Sequence, residues 1–555
     1  PDTPGSSGLP PTDGLEGGGG ALTSEAWPFL LLSLGLLAVG LSFWRPIPAG
    51  VWNDDGVYML IGKALAGGQG LRYAGVPGSP PAVKFPPGYP ALLATLWLVF
   101  RGIGPVTLAA ELLNLAMVAA AGGLAAWALH RGAGLRRSVA VGIAGLAFVS
   151  ADVWQPALVP LSEALFYLLG AGALAAWVAA SRPDDRRGAV WLAVILAVAM
   201  LTRSAAAALV LAFGAALLLR RGVRVTLAVC APAVVAAVGW GIWASARAPE
   251  IPEGMRDVLG PYGGWLLAQV LGARAAFLHD LGPHAAAVAA RVAALLVPGL
   301  WSVWLWIAAV PLALLAVVGG VRLGRVLPPV PWVILAYLAM LLVWPFVDRR
   351  LVAPLHPWMV MAVSFGFLEL GRRAARSPMR WAVGAVAFAW VGAYAVVTAS
   401  RAERGWAVAG YQLRAKRMAA AVEALKRTAP PDAVVGAPEF WAALHLHGGW
   451  LSVPSARFTP RAEDEEAPVW GTPEEQLALW WNAGVNHVLL EQGGQVHGDA
   501  LNLLEERCPR DVGILARMPP QILVRLEWDR ACAEKLGLVA GAGSGAPRAR
   551  GDVGG

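Results

Sequence analysis

Apolar runs of membrane length, parted by short arginine clusters, limit what this chain can fold into more than any other feature. They fall at roughly 27–45, 105–129, 138–153, 158–180, 189–202, 204–219, 225–245, 299–320, 331–347, 351–370 and 381–399. A helix crosses the hydrocarbon core with about 20 mainly apolar residues, and a segment in lipid must satisfy its own backbone, as a helix does. Only 14% of the 555 residues are charged and 57% are hydrophobic, where soluble domains carry about 25% charged residues. The 26 tryptophans, against 8 tyrosines and 14 phenylalanines, suit membrane interfaces. The fold class expected is an α-helical polytopic membrane protein of about 11–13 transmembrane helices.

The formal net charge of +8 does not point to nucleic acid, because the arginines lie between apolar spans rather than on one basic face. They form the clusters Arg131/Arg136/Arg137, Arg182/Arg186/Arg187, Arg220/Arg221/Arg224, Arg322/Arg325 and Arg372/Arg373/Arg376/Arg380. Placing these in the cytoplasm puts every second loop inside, as the positive-inside rule asks. The outward loops are then about 46–104, 150–157, the Thr202-Arg203 turn, 246–298, 348–350 and everything after 400. Residues 89–103 are apolar but short for a crossing, and read as a helix on the outer membrane surface. A rival topology keeps them as a span, with the N-terminus outside and Asp54 inside. Arg45 after the first span, and acidic residues before it, favour that rival.

Around the expected transmembrane domain, 26–400, composition marks three further pieces. Residues 1–25 are rich in Gly, Pro and Ser and read as a disordered tail; because Pro1 rather than Met opens the chain, further sequence is expected upstream. Residues 401–540 hold much of the charge, with strand-like runs at 433–436, 485–490 and 522–526 and helical stretches at 411–427 and 473–483. This predicts a small extracytoplasmic α/β domain with its own core. Residues 541–555 return to a disordered composition. Cys508 and Cys532 lie in the C-terminal domain, where an oxidising compartment allows a disulfide; two separate buried thiols fit equally well. Cys230 lies in a span.

The chemistry-bearing residues cluster in the first outward loop. Asn53-Asp54-Asp55-Gly56-Val57-Tyr58 is followed by Lys84-Phe85-Pro86-Pro87-Gly88-Tyr89-Pro90. Adjacent carboxylates at a membrane rim can supply a general base and a second acidic contact to a sugar or a metal. Asn53-Asp54-Asp55 also fits a helix start, with Asn as cap and acids favoured by the dipole. Tyr58 fits packing or acceptor contact, and Lys84 fits a snorkelling interface anchor. Arg203 lies between two spans, where an idle charge is costly, so phosphate binding competes with a structural ion pair. Arg350 can anchor a helix end beside Arg349 and Asp348. Asp152 and Glu163 flank the second outward loop as a second acidic site, although Glu163 also opens a span, where an acid stabilises a helix N-terminus.

In order along the chain, Asp54-Asp55-x-x-Tyr58, Lys84-x-Pro-Pro-x-Tyr-Pro, Ser162-Glu163-Ala164-Leu165-Phe166, Leu201-Thr202-Arg203 and Arg350-Leu351-Val352-Ala353-Pro354-Leu355-His356-Pro357 resemble the C-type (GT-C) glycosyltransferase superfamily. The nearest branch is that of protein O-mannosyltransferases and lipid A aminoarabinose transferases. The likeness covers roughly residues 27–400 and departs at Leu351, where the family often has Tyr, and at Asp55, where Glu is common. It implies inverting transfer of a sugar from a polyprenyl-phosphate donor to a glycan, lipid or protein acceptor on the outer side of the cell membrane. Asp54 matches the family's catalytic acid position, and Asp55 would position the acceptor, tune Asp54 or help hold a metal such as Mg or Mn. Neighbouring carboxylates raise one another's pKa, which suits a base working near neutrality. Lys84, Arg203 and Arg350 would neutralise the phosphate leaving group.

Other chemistry has little support. The histidine pairs His279/His284, His445/His447 and His487/His497 lack zinc-site spacing, and there is no Walker loop or dinucleotide fingerprint. The rival classes are an ion- or proton-coupled transporter and a polyprenyl-lipid-binding subunit of cell-envelope assembly.

Overall fold

The computed structural model describes residues 21–180, 186–263, 274–300, 302–344, 347–375, 377–455, 472–491, 495–509 and 511–538. Most of both expected tails, residues 1–20 and 541–555, lies outside them, and the first helix already begins at Ala21.

Among the described residues, eight helices are long and apolar enough to cross a membrane, and a bent pair, Arg137–Val149 with Ala151–Leu158, makes a ninth. That pair kinks by 62° at Ser150, whose Oγ accepts from the Asp152 amide and so starts a new helical turn. Gly88–Phe100, Leu281–Leu296 and Pro329–Val343 are shorter apolar helices. The outer flanks of the bundle carry exposed Leu211, Val235 and Phe388, as a lipid-facing surface should. Inside, helix Ser302–Val326 crosses His356–Arg373 through Gly319 and Gly366. A Cβ on either glycine would overlap the other helix's backbone, and such small residues let membrane helices approach closely.

The alternation of arginines along the chain becomes a polarity of the bundle. Helix Glu163–Ala180 runs from an acidic residue to the arginine-rich end, where the Arg221 guanidinium donates to Ala180 O. There Arg220 donates to Arg325 O at 2.8 Å, and Gly132 faces Val178 and Leu327. Helix Arg186–Thr202 starts at its arginines and reaches Thr202-Arg203 at the opposite end.

Beyond the last long apolar helix, Met379–Glu403, helix Trp406–Thr428 leads into an α/β unit. Its strands are β1 Val434–Ala437, β2 Leu451–Pro454, β3 His487–Glu491, β4 Val512–Met518 and β5 Gln521–Leu526, in the order β2-β1-β3-β5-β4. The first three are parallel, and β5 pairs antiparallel with both β3 and β4. β2 and β4 are not among the strand-like runs read from sequence. β2 has four residues and ends in Pro454, while β4 carries Gly513 and Arg517 and a register shift between Ile514 and Ala516. Cys508 and Cys532 are joined by a disulfide across a separation of 24 residues.

The α/β unit sits on the first loop. Helix Trp441–Gly448 packs on Asp54–Ala66, and the Ser452 amide donates to Gly75 O at 2.7 Å. Gly50, at φ +96°, lies so close to Ala443 that a side chain there would meet it.

Candidate active site

Asp54 is the first residue of helix Asp54–Ala66. Immediately before it, Asn53 adopts φ 57° and ψ −68°, and the Asp54 amide donates back to Trp52 O at 2.6 Å. This is a γ-turn, a strained geometry for an L-residue. Asn53 does not cap the helix with its side chain; its Oδ1 accepts instead from the Phe440 amide at 3.4 Å. The turn aims the Asp54 carboxylate into a cavity of about 290 Å³, a quarter exposed.

Four of the sequence-predicted site residues converge on that cavity with Asp54: Tyr58, Lys84, Arg203 and Arg350. Arg350 Nη2 contacts Asp54 Oδ2 at 2.6 Å, and its Nε lies 3.2 Å from Glu163 Oε1. Arg203 Nη1 is 2.8 Å from the same Glu163 oxygen and donates to Ser162 Oγ at 3.2 Å. Glu163 is thus a buried anionic hub holding two guanidinium groups, and the cavity remains rich in cations. Lys84 reaches the site from the loop before Gly88–Phe100; its Nζ donates to Val258 O at 2.8 Å and lies 4.7 Å from the Tyr262 ring centre. Burial pushes the Lys84 ammonium down to about 8, while the Asp54 charge pulls the other way. Tyr58 lines the wall while packing on Phe85 and Tyr89, with its hydroxyl 3.2 Å from Ser162 Oγ, so packing and cavity contact coexist.

Two acidic residues take places other than those read from sequence. Asp55 is fully buried and lies outside the cavity wall. Its oxygens accept from the Gly50 amide at 2.7 Å and the Trp52 amide at 2.8 Å. Burial lifts its pKa above the ordinary range; the two amides act against this and the Asp54 charge adds to it. A helix exposes successive residues 100° apart, so adjacent carboxylates seldom share a ligand. Asp152 forms no joint site with Glu163. It pairs with Arg349 and, at 2.8 Å, with Arg401, and both guanidinium groups stack on Trp406.

A divalent metal does not fit the Asp54–Asp55 pair. Asp55 is committed to backbone amides, Asp54 to Arg350, and the remaining charges facing the cavity are cationic. Among the described residues, the one close group of three metal-ligating side chains is Cys508, Asp511 and Cys532, and its sulfurs are already bonded to each other.

The wall also contains Tyr262, Tyr337 and Trp344, which carry no signal in the sequence beyond being aromatic. Tyr262 follows the short helical turn Arg256–Leu259, and its place opposite Lys84 is a product of tertiary folding alone.

No protein-family model matches the chain, and neither does any curated protein. Solved structures do. ArnT from Cupriavidus metallidurans in the apo state is 15% identical, with 91% of this chain and 98% of that one covered and a TM-score of 0.50. The Archaeoglobus fulgidus oligosaccharyltransferase in complex with Zn and sulfate is 10% identical, with 84% and 68% covered and a TM-score of 0.51. At these identities the likeness is one of fold. Both neighbours are C-type glycosyltransferases, and this chain has the GT-C-like membrane fold with a small C-terminal sheet domain.

Proposed function

We propose that this protein is a membrane glycosyltransferase that moves a sugar from a polyprenyl-phosphate donor to a hydroxyl acceptor, with Asp54 as general base. The observation that carries the reading is one cavity in which a partly exposed carboxylate meets Lys84, Arg203 and Arg350. A sugar phosphate needs cations for its leaving group and a base for its acceptor, and this cavity offers both.

In the reaction, the acceptor oxygen attacks the anomeric carbon from the face opposite the phosphate and gives its proton to the Asp54 carboxylate. The bond from the anomeric carbon to the phosphate oxygen breaks, and the polyprenyl phosphate departs with its new charge held by Lys84, Arg203 and Arg350. One displacement inverts the anomeric configuration. The incoming phosphate competes with Asp54 for Arg350 and so releases the carboxylate for its proton. Glu163 keeps the two guanidinium groups oriented. No step requires a metal.

The arginine-rich end of the bundle lies away from the cavity, which supports an outward-facing site by the positive-inside rule. A Cys508–Cys532 disulfide also suits that side. In a Cys230→Ala background, a membrane-impermeant thiol reagent applied to intact cells should label Gln69→Cys and spare Ser138→Cys. Both positions are exposed, Gln69 just after helix Asp54–Ala66 and Ser138 beside Arg136 and Arg137. Labelling of Ser138→Cys alone would place the aspartates in the cytoplasm.

Lys84 supplies a test of the phosphate contact. Its pKa of about 8 means that it is charged below that pH and neutral above it. The kcat/KM for the donor, which reports free-enzyme ionisations, should therefore fall as pH rises through about 8. Lys84→Arg should move that fall to higher pH and keep part of the affinity, since a guanidinium stays charged. Lys84→Ala should weaken donor binding and abolish the step. If Lys84→Ala keeps the wild-type profile and donor affinity, the residue is only an interface anchor.

A further inference from the structure

The strained turn before Asp54 is held from two sides. From within the loop, Asp55 binds the Gly50 and Trp52 amides. From the C-terminal domain, Arg414 Nε donates to Val51 O at 2.5 Å, and its guanidinium lies 5.5 Å from the Trp52 ring centre and 5.3 Å from that of Phe440. Glu439 Oε1, 3.2 Å from Arg414 Nη1, fixes the guanidinium in turn. His447 Nε2 donates to Ala49 O at 2.8 Å, and the Phe440 amide reaches Asn53. Phe440 itself has φ 60°, a conformation that bulky residues seldom adopt. Two strained residues, Asn53 and Phe440, thus face each other across the domain junction, next to the proposed base. Such strain persists only where the surroundings over-determine it. Simple docking of a soluble domain does not require a partly buried arginine on the carbonyl three residues before the proposed base.

We propose that the C-terminal domain sets the position of Asp54 and that Arg414 is the positioning residue through which it does so. The domain then acts as part of the catalytic apparatus, by keeping the γ-turn at Asn53 closed so that Asp54 points into the cavity. The catalytic half of this proposal rests on the reading of Asp54 as base. Arg414 is not among the residues that line the cavity with Lys84, Arg203 and Arg350, so donor capture should be spared when it is lost.

The test uses the full-length protein in nanodiscs, with two readouts on Arg414→Ala and Arg414→Lys. Hydrogen exchange of amides 49–57 should rise in Arg414→Ala. Its kcat should fall by about 10²-fold, the scale of a misplacement of roughly 1 Å at a reacting group, with the donor KM unchanged. Arg414→Lys retains a donor for Val51 O but cannot also serve Glu439, and should recover part of both losses. Should Arg414→Ala not fold, Glu439→Gln, which loosens the hold on Arg414, should raise exchange and lower kcat to a smaller degree. Wild-type exchange at 49–57 in the folded variants overturns the proposal, and so does wild-type kcat despite raised exchange. A wild-type protein that transfers no sugar would count against Asp54 as base, while the exchange measurement would still decide whether Arg414 holds the loop.

Discussion

Asp54→Asn should lower turnover by about 10²-fold or more, the scale of general-base catalysis, while expression, thermal stability and donor affinity stay near those of the wild type. The amide is nearly the size of the carboxylate and keeps an oxygen for Arg350, 2.6 Å away in the native site. It has no lone pair basic enough to take the acceptor's proton. Because the ion pair with Arg350 weakens, the donor phosphate meets less competition, and its KM should hold or drop. A loss confined to kcat separates a missing base from a damaged pocket. Turnover like that of the wild type in Asp54→Asn would remove the base assignment altogether.

Arg350→Ala should be at least as damaging, but in kcat/KM for the donor, by about 10²- to 10³-fold, as when one donor to a developing charge is removed. Arg350 reaches Asp54 with Nη2 and Glu163 with Nε, so its loss removes the proposed phosphate contact and leaves Asp54 without this ion partner. Glu163 still has Arg203 at 2.8 Å, which limits the damage to the fold. Arg350→Lys should recover only a part, because one ammonium cannot span both carboxylates. A donor kcat/KM within about threefold of wild type for Arg350→Ala would make Arg350 a helix anchor, the role that the neighbouring Asp348 cap already suggests.

The order of motifs along the chain marks five of the residues that line this cavity. Asp54, Tyr58, Lys84, Arg203 and Arg350 are charged or polar residues next to apolar spans, where charge is costly unless used, and all five line one cavity. What the sequence cannot convey is direction. Asp54 and Asp55 are chemically alike and adjacent, yet the γ-turn at Asn53 sends one into the cavity and the other back onto the amides of Gly50 and Trp52. Asp152 and Glu163 flank one short loop, but the bend at Ser150 turns Asp152 toward Arg349 and Arg401. Arg349 and Arg350 likewise part, Arg349 to Asp152 and Arg350 to Asp54 and Glu163. Partners 174 to 387 residues apart, such as Lys84 with Val258 and Asn53 with Phe440, arise from packing that no local pattern encodes. In the C-terminal domain, the more apolar strands show in the sequence, whereas β2 and β4 depend on their neighbours for pairing.

Release of polyprenyl phosphate tests the central claim most directly. Purified protein in proteoliposomes would be given a panel of polyprenyl-phosphate sugars and hydroxyl acceptors, with lipid phosphate and product anomer measured together. Wild-type protein should release polyprenyl phosphate in step with a product of inverted configuration, and Asp54→Asn should release it at least about 10²-fold more slowly. Transport of the intact donor without release, or equal release by the wild type and Asp54→Asn, would contradict sugar transfer with Asp54 as base.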